Sequence, residues 1–496
     1  MKSRNFLKPV VLGIILAMFS CYSGMAQAIY EDERYVPETD PLVLKKLDEW
    51  QGLKFGLLMH WGTYSQWGIV ESWSLCPEEY GWCERKKGAN PNDYFAYKKE
   101  YEGLKNSFNP VKFNPEKWAK AAKNAGMKYV VFTTKHHDGF SMFDSKYTDY
   151  KITDPGTPFS TNPKANITKE IFNAFRKEGL WAGAYFSKPD WNVSSYWDPY
   201  FPPKDRNVNY DPETYPEKWN EYVEFTHNQI LELLTDYGKV DILWLDGGWV
   251  AKTPKSDIVS WYESQLKNND KGYLKHRIIN QDIKMDALVV KAREKQPGLI
   301  VVDRAVHGKN QNYLTPENRI PEKPLPYPWE SCIIAGGGWS YSFNATYMSG
   351  KAAVHTLVDI VAKGGNLLLN IAPSPEGEWD QGAYDLLEEI GDWMKVNDEA
   401  IYKTKSMAPY KYENICVTTK KDGTVYLIYL VKEGQTSIPS KIKFKGFVPS
   451  KKAKMELLGF NSKLKWKIQE DELTISIPTY LRKNLLKTKA FVVKVK

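Results

Sequence analysis

From Leu53 onward, short apolar runs ending in polar or charged residues alternate with stretches of helical period. "KFGLLMHWG" (54–62) is the first run, followed by the helical pattern "PEKWAKAAKNAGM", which opens on Pro115 and stops near Gly126. "KYVVFTTKHHDG", "LWAGAYFS", "VDILWLDGG", "LIVVDR", "YPWESC" and "NLLLNIAPS" continue the series, with helical patterns between most of them. Runs that are apolar on both faces and joined by helices predict a parallel sheet. Seven such runs favour a (β/α) TIM-like barrel, with room for an irregular or missing helix, over an open doubly wound sheet. No G-x-G-x-x-G follows any run, which counts against a dinucleotide-binding fold.

After about Thr404 the period changes to two. "ICVTTKKDGTVYLIYLV" reads as two strands around the turn signal Asp422-Gly423, and "KIKFKGF", "KMELLGF", "LKWKIQEDELTISIP" and "AFVVKVK" continue it. The expected organisation is a barrel domain over 29–403 and a small antiparallel β-sandwich over 404–496, with the boundary near 400–408.

The first 28 residues stand apart. Lys2, Arg4 and Lys8 precede "PVVLGIILAMF", and "AQA" ends at Ala28, the pattern of a cleaved secretory signal peptide. The apolar run is too short to span a bilayer, and no later stretch is long enough either. Export to the periplasm or the medium follows, with a lipid anchor at Cys21 in "MFSC" as the alternative. Four cysteines remain beyond it, Cys76, Cys83, Cys332 and Cys416, too few and scattered for a disulfide scaffold. Cys76 and Cys83 could close a small loop or stay as thiols. The chain is 496 residues long with a net charge of +8. Much of that charge lies in lysines after Lys403 that alternate with apolar residues, a solvated strand face and not a nucleic-acid surface. No zinc-ligand spacing occurs.

In a (β/α) barrel the working residues sit at the C-terminal ends of the strands. Read that way, the runs end in His60-Trp61, in Lys135-His136-His137-Asp138, in Tyr185, in Trp244 and Asp246, in Asp303-Arg304, and in Trp329-Glu330. A strand needs none of these to fold. Adjacent strand residues point to opposite sides, so His136 and His137 both face a ligand only where the strand gives way to a turn, which Gly139 supports. Asp246 and Glu330 form a candidate carboxylate pair for glycoside hydrolysis, one attacking the anomeric carbon and one protonating the leaving oxygen. Trp61, Trp244, Trp249 and Trp329 adjoin these polar groups and could cover the C–H faces of a sugar.

"FGLLMHWG", "GMKYVVFTTKHHDGF", "ILWLDGGW", "VVDR", "PWESC" and "GGNLLLNIAPSPEG" resemble, in order, the signatures of the α-L-fucosidases of glycoside hydrolase family 29. The resemblance runs from Leu53 to Lys403, and "KHHDGF" with "LWLDGGW" is its most specific part. It implies a retaining exo-hydrolase that needs no metal or cofactor and acts on a fucosylated oligosaccharide or glycoconjugate. Asp246 would be the nucleophile and Glu330 the general acid/base. His60, His136, His137, Tyr185, Trp244 and Arg304 match positions that hold the fucose or frame the nucleophile. The family's Glu-Trp pair is absent as such; "ESW" and, further on, "GWCER" stand in its region, and of the two Glu71, with Trp73, would take the sugar-contacting role. An α-L-galactosidase or related exo-glycosidase, and a non-catalytic fucose-binding barrel, are the alternatives.

Overall fold

In a computed structural model, residues 35–267, 276–460 and 462–496 are described. The expected signal peptide and Cys21 lie outside them. No helix among the described residues is long and apolar enough to cross a membrane.

Seven parallel strands form one sheet: β1 (Phe55–Met59), β2 (Tyr129–Lys135), β3 (Trp181–Ser187), β4 (Ile242–Asp246), β5 (Ile300–Asp303), β6 (Glu330–Ile334) and β7 (Asn366–Asn370). Their order is β5-β4-β3-β2-β1-β7-β6. Helices cover the outer face. Pro115–Asn124 starts where Asn114 accepts a hydrogen bond from the Lys117 amide (3.0 Å), with proline at the first position, where no amide proton is needed. Ser349 caps Gly350–Ala362 in the same way.

Period-two alternation divides each strand between two cores. Leu57, Met59, Val130, Phe132, Leu243 and Leu245 pack outward under the helices. Leu58, Val131, Tyr185, Ile242, Trp244 and Val302 point inward. Continuing the inward parity by two residues reaches His60, Asp246 and Arg304.

Between β5 and β6 the chain is irregular but still bonded to both. The Asn312 amide donates to the Val301 carbonyl (2.9 Å), Leu314 to Pro328 (3.0 Å), and Cys332 to Pro316 (3.1 Å). This segment therefore lies in the gap between the edge strands.

Antiparallel structure begins at Lys405, with β8 (Lys405–Tyr412), β9 (Ile415–Thr419), β10 (Val425–Leu430), β11 (Lys441–Lys445), β12 (Met455–Leu457), β13 (Lys465–Gln469), β14 (Glu472–Ser476) and β15 (Ala490–Val495). They form a five-stranded sheet, β12-β15-β10-β9-β8, and a three-stranded one, β11-β14-β13. Alternation again assigns the faces. Val425, Leu427 and Tyr429 join one core with Phe444 and Ile475 of the smaller sheet. Tyr426, Ile428 and Leu430 turn to the large core, where Trp393 donates its indole N–H to the Ala490 carbonyl (2.8 Å).

Candidate active site

A pocket of about 340 Å³ opens at the C-terminal edge of the parallel sheet. His60, Glu71, Trp73, His136, Tyr185, Trp244, Asp246 and Arg304 all line it. Strand parity and strand ends explain most of this convergence.

Asp246 closes β4 and is held from two sides. Tyr185 Oη donates to Oδ2 (2.7 Å) and Arg304 Nη1 to Oδ1 (3.1 Å). Burial by itself would push this carboxyl up. The Arg304 charge and the Tyr185 hydrogen bond outweigh burial and hold it well below the usual carboxylate range. Asp246 is thus an ionised, oriented carboxylate. The next residue must be glycine: Gly247 has φ +86°, and a Cβ there would lie 2.2 Å from Pro189 Cδ.

β2 ends at Lys135, so both histidines sit in the turn that follows, closed by the Gly139 amide donating to the His136 carbonyl (3.1 Å). His136 Nδ1 is 2.5 Å from Ser72 Oγ. His137 is fully buried, its ring within 5.3 Å of the Trp73, Trp191 and Trp249 rings, and neither nitrogen has a partner among the described residues. It lies behind the pocket wall. His60 Nδ1 is 3.1 Å from Asn370 Oδ1, whose own amide nitrogen donates to the Trp339 carbonyl (2.8 Å). That fixes the Asn370 oxygen as acceptor and the His60 proton on Nδ1, leaving Nε2 as an acceptor. Burial pushes His60 down to about 4 and His137 to about 3, and His136 well down as well. All three rings are neutral at physiological pH, suited to hydroxyl groups rather than to anions.

His136, His137 and Asp246 offer ligand atoms within 4.8 Å of one another, a spacing that a metal ion could use. The Arg304 guanidinium on the same carboxylate opposes a second cation there, so this donor set fits a resident metal poorly.

Glu71 is 2% exposed, has φ +28°, and its Oε1 has no partner among the described residues. Burial, then the Glu317 and Asp246 charges, push its carboxyl up to about 8, so it carries a proton at neutral pH. Ser72 and Trp73, its neighbours in "ESW", hold His136 and line the pocket.

Glu330 corrects the sequence reading. Its strand does not end at Glu330; it begins there. Pro326 and Pro328 lack the amide protons a ladder requires, so pairing starts only beyond them. Glu330 faces inward as parity demands, but at the opposite edge of the sheet, paired in register with Asn366, the first residue of β7. It is fully buried, accepts from Tyr129 Oη (2.5 Å) and Tyr313 Oη (3.2 Å), and does not line the pocket. Trp329 is core at that same edge, and Trp61 is core too, its indole donating to the Ser374 carbonyl (2.9 Å). Cys76, Cys83, Cys332 and Cys416 are free buried thiols.

The pocket does contain another carboxylate. Glu317, in the irregular segment between β5 and β6, accepts from Arg304 Nη2 through Oε2 and from Trp339 Nε1 through Oε1 (3.1 Å). Its side chain is 37% exposed, against 18% for Asp246. Arg206 also lines the pocket, stacked over Trp73 and Trp249 and paired with Glu78. Strand-end reasoning missed both, because neither follows a regular strand. For Glu317 a signal existed: "NYLTPE" supplies an extended apolar stretch where the sheet lacks a strand.

A family model described as Alpha-L-fucosidase matches residues 24–399. The chain is 28% identical over 467 residues to the plasma alpha-L-fucosidase of Homo sapiens, covering 90% of this chain and 89% of that protein. It is 26% identical over 491 residues to the tissue alpha-L-fucosidase of Homo sapiens, covering 94% and 93%. Among solved structures it is similar to alpha-L-fucosidase isoenzyme 1 from Paenibacillus thiaminolyticus, with a TM-score of 0.70, 29% identity, and coverage of 92% and 99%. The Thermotoga maritima alpha-fucosidase in complex with fucose matches with a TM-score of 0.69, 25% identity, and coverage of 93% and 100%.

Proposed function

The chain belongs to the alpha-L-fucosidase family, and from that membership and the pocket's geometry we propose that it removes terminal α-L-fucose with retention, using Asp246 as nucleophile and Glu317 as general acid/base. Asp246 attacks the anomeric carbon while Glu317 gives its proton to the departing oxygen. Glu317 then takes a proton from water, which attacks the fucosyl-enzyme and releases fucose.

One observation carries the pairing. The two carboxylates sit on the two prongs of a single guanidinium, Arg304. That arrangement suits the retaining mechanism, which needs the carboxyl groups roughly 5–5.5 Å apart. Exposure supports the division of labour: the acid must meet a leaving group that departs through the mouth, and Glu317 is the more exposed of the pair. Glu71, buried and protonated, suits a hydrogen-bond donor to a sugar hydroxyl. The neutral His60 and His136, with Tyr185, suit the remaining hydroxyls, His137 backs the wall behind them, and Trp73 and Trp244 suit the apolar faces of the ring. A pocket of about 340 Å³ suits one sugar residue, hence exo action.

We read the parallel sheet, with segment 310–318 in its gap, as an irregular (β/α) barrel over 29–403. The two antiparallel sheets then form a sandwich over 404–496. Export after cleavage at Ala28 accords with the plasma location in the name of a relative.

The test is hydrolysis of aryl α-L-fucoside, α-L-galactoside, β-D-galactoside and α-D-glucoside, followed by NMR, with Asp246→Ala as control. Asp246-dependent release of α-fucose as the first product supports the reading. β-Fucose first, or full activity in Asp246→Ala, would overturn it.

A further inference from the structure

A larger cleft, of about 1000 Å³, lies at the opposite edge of the parallel sheet. Its walls come from the end of the helix Pro41–Leu53, from Trp181 at the start of β3, from residues 325–328, and from the antiparallel region at Lys403–Ser406 and Lys420–Asp422. Lys54 precedes β1 and Trp181 opens β3, whereas the fucoside pocket lies beyond the other ends of those strands. The cleft shares no lining residue with that pocket.

Its charge is one-sided. Six lysines line it against three carboxylates, Asp48, Glu49 and Asp422. Asp48 is already paired with Lys421 (3.6 Å), and Asp422 accepts from the Thr424 amide (2.9 Å). Lys54 is the decisive residue. It is 2% exposed, its ammonium opens onto the cleft, and only burial and the like charge of Lys405 act on it, with no carboxylate beside it among the described residues. Lys403 and Lys405 likewise lack a carboxylate partner among the described residues. Water is largely withdrawn from the Lys54 charge with no counter-charge in its place, and proteins normally pair such a group. Burial, then the Lys405 charge, push Lys54 down to about 8, so an anion in the cleft would relieve both lysines. Trp181, Leu325 and Pro326 add an apolar wall.

We propose that this cleft is a second binding site, for a ligand that carries sulfate, phosphate or carboxylate groups, with Lys54 as its buried contact and Lys405 and Lys403 at its rim. A free oxyanion and an acidic saccharide share this chemistry, and the cleft is large enough for the latter.

The test is calorimetric titration of the full chain with inorganic sulfate, a sulfated disaccharide lacking fucose, and the unsulfated disaccharide. Aryl fucoside hydrolysis is measured in parallel. Binding of sulfate or the sulfated sugar, at least tenfold weaker in Lys54→Met and several-fold weaker in the exposed Lys405→Gln, with hydrolysis unchanged, is the expected result. Sulfate binding as tightly as the sulfated sugar identifies a simple anion as the occupant; tighter sugar binding identifies the saccharide. No binding at millimolar concentration, equal binding of the unsulfated sugar, or affinity unaltered in both variants would overturn the proposal. A chain inactive on fucosides that still binds sulfate would fault the catalytic reading alone.

Discussion

Replacing Glu330 with glutamine separates a buried structural acid from a catalytic one. Burial pushes the Glu330 carboxyl from 4.5 up to about 7, against the opposing hydrogen bonds from Tyr129 and Tyr313. A raised folded-state value means that, between those two pH values, the folded chain holds a proton the unfolded chain releases. The resulting stability is fully present below pH 4.5 and is lost as pH rises through 7. At about 1.4 kcal/mol per pH unit the loss amounts to about 3 kcal/mol. Glutamine is the neutral near-isostere: its carbonyl oxygen can still accept from one tyrosine, and its NH2 can donate to the other hydroxyl oxygen where the protonated acid offers one O–H. Glu330→Gln should therefore match the wild type near pH 4 and exceed it by about 3 kcal/mol at pH 8. Fucoside hydrolysis should be retained for good and poor leaving groups alike. Urea unfolding at the two pH values, beside kinetics on both substrate types, reads both consequences. Equal stability differences at pH 4 and pH 8 would refute the buried-proton argument. Selective loss of poor-leaving-group substrates would return the acid role to Glu330.

Glu317→Ala should lower kcat/KM on alkyl fucosides by about 10²–10⁴-fold, the usual worth of a general acid, and spare kcat/KM on aryl fucosides with good leaving groups. On those aryl fucosides kcat should fall, because water loses its base, and added azide should restore it and yield fucosyl azide; equal loss of kcat/KM on both substrate types would count against the role. Glu71 is protonated below about 8 and above it would add a negative charge beside Asp246 and Glu317. Wild-type kcat/KM should therefore fall above pH 8, and Glu71→Gln should remain active with that fall abolished; an unchanged alkaline limb would contradict the assignment. Gly247→Ala forces a Cβ into Pro189 at a positive φ. It should cost about 1–3 kcal/mol and reduce kcat, and a variant with wild-type stability and rate would show that the turn is not strained.

Much of the site was legible because strand parity and strand ends are local properties. The apolar run "ILWLD" fixes Trp244 and Asp246 on one face, and the step from β2 into Gly139 fixes the two histidines in a turn. The strand end at Glu330 was misread for an equally local reason. An apolar stretch follows it as well as precedes it, and only the two prolines upstream mark which end of the strand it occupies. Glu317 was illegible because its segment bonds to β5 and β6 without forming a ladder. Its position depends on Arg304, 13 residues away, and on Trp339, 22 residues away. Arg206 depends on Glu78, 128 residues distant, and on stacking between two tryptophans. No period in the chain encodes such partners. The alternation in β10 and β15 predicted strands, but not that both their faces are buried, since that requires the helices behind them.

The most direct measurement is peptide mapping by mass spectrometry after the full chain reacts with 2-fluoro-fucosyl fluoride, whose fluorine slows release of the sugar from the enzyme. A single 2-fluorofucosyl group is expected, on the Asp246 carboxylate. An adduct on Glu317, Glu330 or Glu71, or no adduct from an enzyme that turns over aryl fucosides, would contradict it.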